Sequence, residues 1–195
     1  NNPSGVIYHD EIIKQLGLLL EKFEKKYEKS IYLVSDEPYR KVVYEKKCPY
    51  IFNFYKNSVV VTSFSKDLGL AGERIGYIAF NPKISNKSDL IDAAIFSNRT
   101  LGFVNAPAIS QRIVKELQDS VIDITFYKSK RDFLYKELIR IGYKCILPQG
   151  AFYMFPKSPI KNDEKFVQIL QSKRVLVVPG VGFGTPSHFR ISYCV

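Results

Sequence analysis

The 195-residue sequence is short of the residues that staple or metallate a chain, with three cysteines (Cys48, Cys145, Cys194) and two histidines (His9, His188). The cysteines are odd in number and far apart, which fits neither a disulfide framework nor a zinc pattern. No metal is therefore expected, and a reducing, cytoplasmic setting is. The histidines stand in turn-like surroundings, without the neighbours that general base work needs. No apolar run approaches the roughly 20 residues of a membrane-spanning helix, and no signal peptide is visible, so no membrane partner is expected. An initiator methionine is also missing and the first residues already form a motif, so the sequence reads as starting inside a longer protein.

Acidic residues are in deficit, 19 against 29 lysines and arginines, for a net charge of +10. That excess does not cluster. Lysines alternate with acids, as in Glu21-Lys22-Phe23-Glu24-Lys25-Lys26, which is the pattern of solvated helix faces rather than a nucleic-acid footprint. Hydrophobic residues make up 46% of the chain, enough for the core of one large domain or parts of two.

What is present concentrates between Ser63 and Gly76, Ser-Phe-Ser-Lys-Asp-Leu-Gly-Leu-Ala-Gly-Glu-Arg-Ile-Gly. A β-branched run, Val59 to Thr62, predicts a buried strand before it, and Ile75 to Phe80 predicts a second strand after it. Lys66 and Arg74 share the loop between them with Ser63 and Ser65. An amine on a partly desolvated stem condenses with an aldehyde, while a guanidinium fork grips a phosphate. One carbonyl and one anion suit this loop.

The string resembles the lysine signature of the class I, aspartate aminotransferase-like enzymes that use pyridoxal 5'-phosphate (PLP). The match takes in the hydroxyl three before Lys66, Gly69, Gly72 and Arg74. Three further stretches match in the family's order. Asn1-Asn2-Pro3-Ser4-Gly5 is turn chemistry, and in the family its asparagine, here Asn2, bonds the cofactor's ring hydroxyl. Asp36-Glu37-Pro38-Tyr39 follows a strand read at Ile31 to Val34. The resemblance makes Asp36 the partner of the pyridine nitrogen and Tyr39 a second ligand of the ring hydroxyl, leaving Glu37 a surface carboxylate. A carboxylate there keeps the ring nitrogen protonated and the ring electron-accepting. Arg190, in His188-Phe189-Arg190-Ile191-Ser192-Tyr193, matches the arginine that holds the substrate's α-carboxylate as a bidentate pair.

The resemblance implies an α/β fold. Residues 1–115 would be part of the PLP-binding large domain, with a mainly parallel sheet in an α/β/α sandwich. Residues 116–195 would be a truncated, small α+β domain. The implied activity moves an amino group between an amino acid and a 2-oxo acid, with Lys66 carrying the imine to the cofactor. Ser63, Ser65 and Arg74 would hold the phosphate. A homodimer is implied for the full-length protein. The family's chains also carry a preceding half with a phosphate-receiving loop and a ring-stacking aromatic, so the 195-residue piece alone is expected to be catalytically inactive. Other PLP enzymes of the same fold (carbon-sulfur lyases, ring-forming synthases, decarboxylases) share the motifs, and a non-catalytic binding module is the alternative outside enzymes.

The rest of the chain reads as scaffold. Asp10 to Lys29 has helical spacing at Ile12, Ile13, Leu16, Leu19, Leu20 and Phe23. A strand, helix, strand order argues for parallel strands joined by crossover helices. Asp89 to Phe96 predicts a short helix and Asn98 to Pro107 a loop, in which Arg99 reads as solvated. Ala108 to Ile141 has helical periodicity, Val121 included, broken near Asp119 to Thr125 and closed by Gly142. Lys144 to Leu147, Ala151 to Phe155 and Val175 to Val178 predict strands, Asp163 to Lys173 a helix, and Pro179 to Gly184 a tight turn.

Overall fold

The computed structural model describes residues 1–120 and 122–194; Val121 and Val195 lie outside the described residues. The chain packs as two compact units, one of Tyr8–Lys41 and Cys48–Ile122, the other of Asn1–Ile7, Val42–Lys47 and Asp123–Val195. The split expected from chain order, at 115/116, groups residues 1–7 and 42–47 with the first part; here they pack with the C-terminal residues.

The first unit holds α1 (Asp10–Tyr27), β1 (Leu33–Asp36), β2 (Ser58–Ser63), β3 (Gly76–Phe80), α2 (Lys87–Thr100) and α3 (Ala108–Leu117). The apolar spacing does form α1, with acids in its first turn and lysines in its last, which complements the helix dipole. Asp10 begins the helix and His9 is the cap residue. The helix buries Ile13 and Gly17, while Ile12 and Leu19 stay exposed. Gly17 is required, because a Cβ there would stand 2.4 Å from the Phe54 carbonyl oxygen.

β1 and β2 run parallel, Leu33 opposite Ser58 through Asp36 opposite Val61. β3 runs antiparallel to β2, Val59 opposite Phe80 through Ser63 opposite Gly76. The expected parallel pairing therefore forms, but no α-helix crosses between β1 and β2. That connection holds only a 3-10 turn at Ile51–Asn53, since Pro38 and Cys48-Pro49 interrupt any helical run. β3 reverses because its loop folds back on itself. Asn81, expected in a loose connector, is buried; its amide donates to the Phe52 and Tyr55 carbonyls at 3.1 and 3.0 Å. A buried amide satisfied in this way fixes one end of the sheet.

The second unit holds α4 (Ile124–Arg140), β4 (Tyr153–Met154), α5 (Asp163–Ser172), β5 (Val178–Pro179) and β6 (Phe189–Ser192), with the strands ordered β4-β6-β5 and antiparallel. The break predicted in the long periodicity is real. α3 ends at Leu117, and Asp123 caps α4 by accepting from the Thr125 and Phe126 amides. Gly142 takes φ 93 just past that helix, as its position predicts. The strand expected from Ala151 starts later, because Gly5 and Val42 take the amides that lead into it. Gly5 O accepts from Gln149 and Gly150 N at 2.8 and 2.9 Å, and Val42 O accepts from Ala151 N at 2.8 Å.

Arg131 lies at the heart of this unit, 2% exposed. Nη1 donates to Glu45 Oε2 and Pro148 O, both at 2.9 Å, Nη2 to Glu45 Oε1 at 2.7 Å, and Nε to Asp132 Oδ1 at 2.8 Å. The hydrogen bond from Arg131 holds the Glu45 carboxyl below its ordinary range. Tyr44 lies under the guanidinium, 4.4 Å from ring centroid to Cζ, and its hydroxyl meets that of Tyr193 at 3.1 Å. Burial, and then Tyr44, push the Tyr193 hydroxyl far up.

Candidate active site

In the first unit the lysine loop is built from the end of β2. Ser63 is the last paired residue, opposite Gly76. Phe64 N then donates to Ile75 O and Leu70 N to Phe64 O, both at 3.1 Å, so the loop closes on itself. A Cβ on Gly76 would stand 2.2 Å from Thr62 O, which is why the strand can return so tightly only through glycine. The turn Phe64 to Asp67 carries Ser65 and Lys66, and both are half-buried. Arg74 sits in the left-handed region at φ 51, exposed, with Nη1 donating to Ala71 O at 2.9 Å. Glu73 beside it accepts from the buried Ser110 hydroxyl at 2.8 Å and so ties the loop to α3.

Asp36 is the last residue of β1, exposed, in register with Val61. Lys66 follows just beyond the end of β2. The acid closes β1 and the amine stands just beyond β2, so both lie at the carboxyl ends of neighbouring parallel strands, where ligands of such sheets gather. Tyr39 is buried, 7% exposed.

Glu37 is not the surface carboxylate expected. Its side chain is 11% exposed and 2.6 Å from Arg40 Nη1, and it accepts from Ser35 Oγ at 3.0 Å. Successive strand residues face opposite sides, so this pair lies on the other face of the sheet from Asp36. Sequence reasoning also missed a cross-tie. Lys41 Nζ donates to Gln118 O at 3.0 Å and stands 3.9 Å from Asp67 Oδ2, next to Lys66 in the chain.

In the second unit the structure brings Asn2 and Arg190 together, with Arg190 Nη1 donating to Asn2 Oδ1 at 2.7 Å. The Arg190 guanidinium lies 4.3 Å from the Tyr153 ring and 4.7 Å from the Phe183 ring, and its Nε is buried without a hydrogen bond. A flat cation held between aromatic faces with donor capacity to spare suits a carboxylate. Sequence reasoning put Phe183 in a turn near the substrate mouth and Tyr153 in a strand, but paired neither ring with Arg190. Phe183 sits in the glycine-rich loop, a 3-10 turn over Gly180–Phe183, and only β6 pairing against β5 and β4 sets both rings beside Arg190.

The donors fit PLP by their chemistry: an amine and a carboxylate at adjacent strand ends, with hydroxyls and a guanidinium on the same loop. Among the described residues no group of three or more His, Cys, Asp or Glu is placed to hold a metal ion, and no helix is long and apolar enough to cross a membrane.

Known proteins similar to this chain are aminotransferases. The aspartate aminotransferase of Thermotoga maritima is 30% identical over 199 residues, covering 99% of this chain and 49% of the relative. The aspartate aminotransferase of Bacillus subtilis is 30% identical over 211 residues, with 99% and 51% covered. The crystal structure of an aminotransferase from Eubacterium rectale superposes with a TM-score of 0.95 at 44% identity, over 100% of this chain and 49% of that one. The chain spans about half the length of the curated relatives it matches. The family model for aminotransferase class I and II matches residues 1–195, and the chain belongs to that family.

Proposed function

We propose that this chain carries the lysine, ring-acid and substrate-arginine part of a PLP-dependent aminotransferase that moves an amino group between an amino acid and a 2-oxo acid. The observation that carries the reading is that Asp36 ends one of two parallel neighbours and Lys66 stands just beyond the end of the other, in one compact unit. Bound PLP supplies an aldehyde and an electron-accepting ring.

The residues of the chain do the rest. Lys66 would hold the cofactor and, when freed by substrate, would move a proton between the substrate Cα and the cofactor. Asp36 keeps the ring nitrogen protonated, and Tyr39 and Asn2 bond the ring hydroxyl. Ser63, Ser65 and Arg74 hold the phosphate, and Arg190 orients the substrate by its α-carboxylate. In functional terms residues 1–115 belong to the cofactor-binding large domain and 116–195 to the small domain. The complete protein is a homodimer of the cytoplasm, and the 195-residue chain alone is inactive.

Borohydride trapping tests the reading directly. After incubation with PLP and reduction, peptide mapping finds a pyridoxyl group on Lys66, and Lys66→Ala abolishes it. Labelling spread over several surface lysines, unchanged in Lys66→Ala, defeats the proposal. In the complete enzyme, formation of a 2-oxo acid without released ammonia separates transamination from lyase chemistry, and measured mass in solution tests the dimer.

A further inference from the structure

The hairpin that carries Arg190 has a long loop, and a carboxylate from another element closes it. β5 and β6 pair Val178 with Arg190 and Pro179 with Phe189, so residues 180–188 form the connection. Hairpin loops usually run about 2–5 residues, and ordering a longer one costs backbone entropy that some contact must offset. Asp163, the first residue of α5, makes that contact. Its Oδ2 accepts from Val181 N at 2.8 Å and its Oδ1 from Ser187 N at 3.0 Å, one amide from each limb of the loop.

Asp163 is 4% exposed, and helix capping does not account for it. Asn162 already caps α5, accepting from Lys165 N at 2.9 Å. Burial pushes the Asp163 carboxyl up, but the Val181 and Ser187 amides, then its own and that of Gly180, outweigh it and hold the group below its ordinary range. A buried carboxylate kept ionised by backbone amides fixes a loop more firmly than a neutral acceptor does. This loop is strained without it. Ser187 takes φ 63, a region that costs a serine energy, and a Cβ on Gly180 would stand 2.3 Å from Thr185 O. Between the two clamped amides lies Phe183, edge-on to Phe155 with ring centroids 6.0 Å apart and 4.7 Å from the Arg190 guanidinium. We propose that Asp163 is a positioning residue for substrate binding, which holds Phe183 against Arg190 and so keeps the guanidinium turned to the substrate's carboxylate. The inference rests on the reading of Arg190 as the substrate's arginine.

The test uses the complete enzyme and whichever of the twenty L-amino acids it transaminates fastest. Asp163→Asn keeps the volume and one acceptor but turns an amide nitrogen toward one limb of the loop. KM for that amino acid is expected to rise about fivefold with kcat little changed, as for loss of the Phe183 ring itself. In a Phe183→Leu background the same substitution moves KM by less than about twofold, because both changes act through one ring. Without PLP or amino acid, amide hydrogen exchange over residues 181–187 quickens roughly tenfold in Asp163→Asn. Glu164→Gln, exposed in the same turn of α5, leaves KM and exchange as they were. If Asp163→Asn does not fold, Val181→Pro removes the donor from the loop side with the carboxylate intact, and the same rise in KM is expected.

Three results overturn the proposal: KM unmoved whatever the exchange shows, kcat falling while KM stays, or effects of Asp163→Asn and Phe183→Leu that multiply. In each of them the parent turns over, so the reading of Arg190 survives. A parent that transaminates none of the twenty defeats that reading, and this inference with it.

Discussion

Arg131 and Arg190 sit in the same compact unit, each with an aromatic face against its guanidinium, and they are finished to different degrees. Arg131 has all three nitrogens bonded to protein oxygens. Arg190 has Nη1 on Asn2 and a buried Nε bonded to nothing. A cation enclosed and saturated by its own chain belongs to the fold, because leaving any of those donors unmet is costly. A cation held flat but under-bonded has donors left for an anion, which is the role proposed for Arg190. Counting satisfied donors separates the two roles more reliably than burial or charge does.

The comparison breaks most visibly at Arg131. Arg131→Ala empties a buried site and takes the donor from the Pro148 carbonyl, and urea denaturation is expected to show a loss of about 3 kcal/mol. Arg190→Leu is expected to leave unfolding within about 1 kcal/mol of the parent. It lowers kcat/KM for the amino acid in the complete enzyme by roughly 100-fold, the loss of a charge-assisted bidentate pair. Equal stability losses in the two variants would erase the distinction. Phe183→Leu sharpens it, removing one aromatic face from Arg190 at about 1 kcal/mol, roughly fivefold in KM with kcat little changed.

The smallest effect is on pH. Glu45 is depressed, first by the Arg131 hydrogen bond. Its stabilisation is therefore present above the ordinary carboxylate range and is lost as pH falls through the depressed value. Glu45→Gln flattens that acid limb of an unfolding-versus-pH curve by well under 1 kcal/mol, since the side chain is 46% exposed and well screened.

The elements that sequence foretold are those with local causes. Helical spacing gave α1 and α5 to within two residues of their ends, and Asp123 and Gly142 mark a helix start and stop by capping and backbone freedom alone. The lysine turn was legible because glycine spacing constrains a loop strongly. Non-local events were not. Strands expected at Ala151 to Phe155 and Val175 to Val178 shrink to Tyr153–Met154 and Val178–Pro179; Ala151 N is taken by Val42 O, and Val175 N turns back to Leu170 O at the end of α5. Glu37 looked like a surface acid because nothing near it in sequence reveals the Cys48 and Pro49 carbonyls that draw Arg40 inward. The aromatic pair at Arg190 was hidden for the same reason, as three separate segments must meet before it exists.

Asn2 and Arg190 are 188 positions apart. During synthesis the asparagine leaves the ribosome long before its partner has been translated, so the Asn2–Arg190 hydrogen bond is among the last contacts to be assembled. A chain halted before Phe189 holds every residue of the lysine loop and lacks Arg190 altogether, so on the proposed roles the cofactor's lysine exists before the substrate's arginine does.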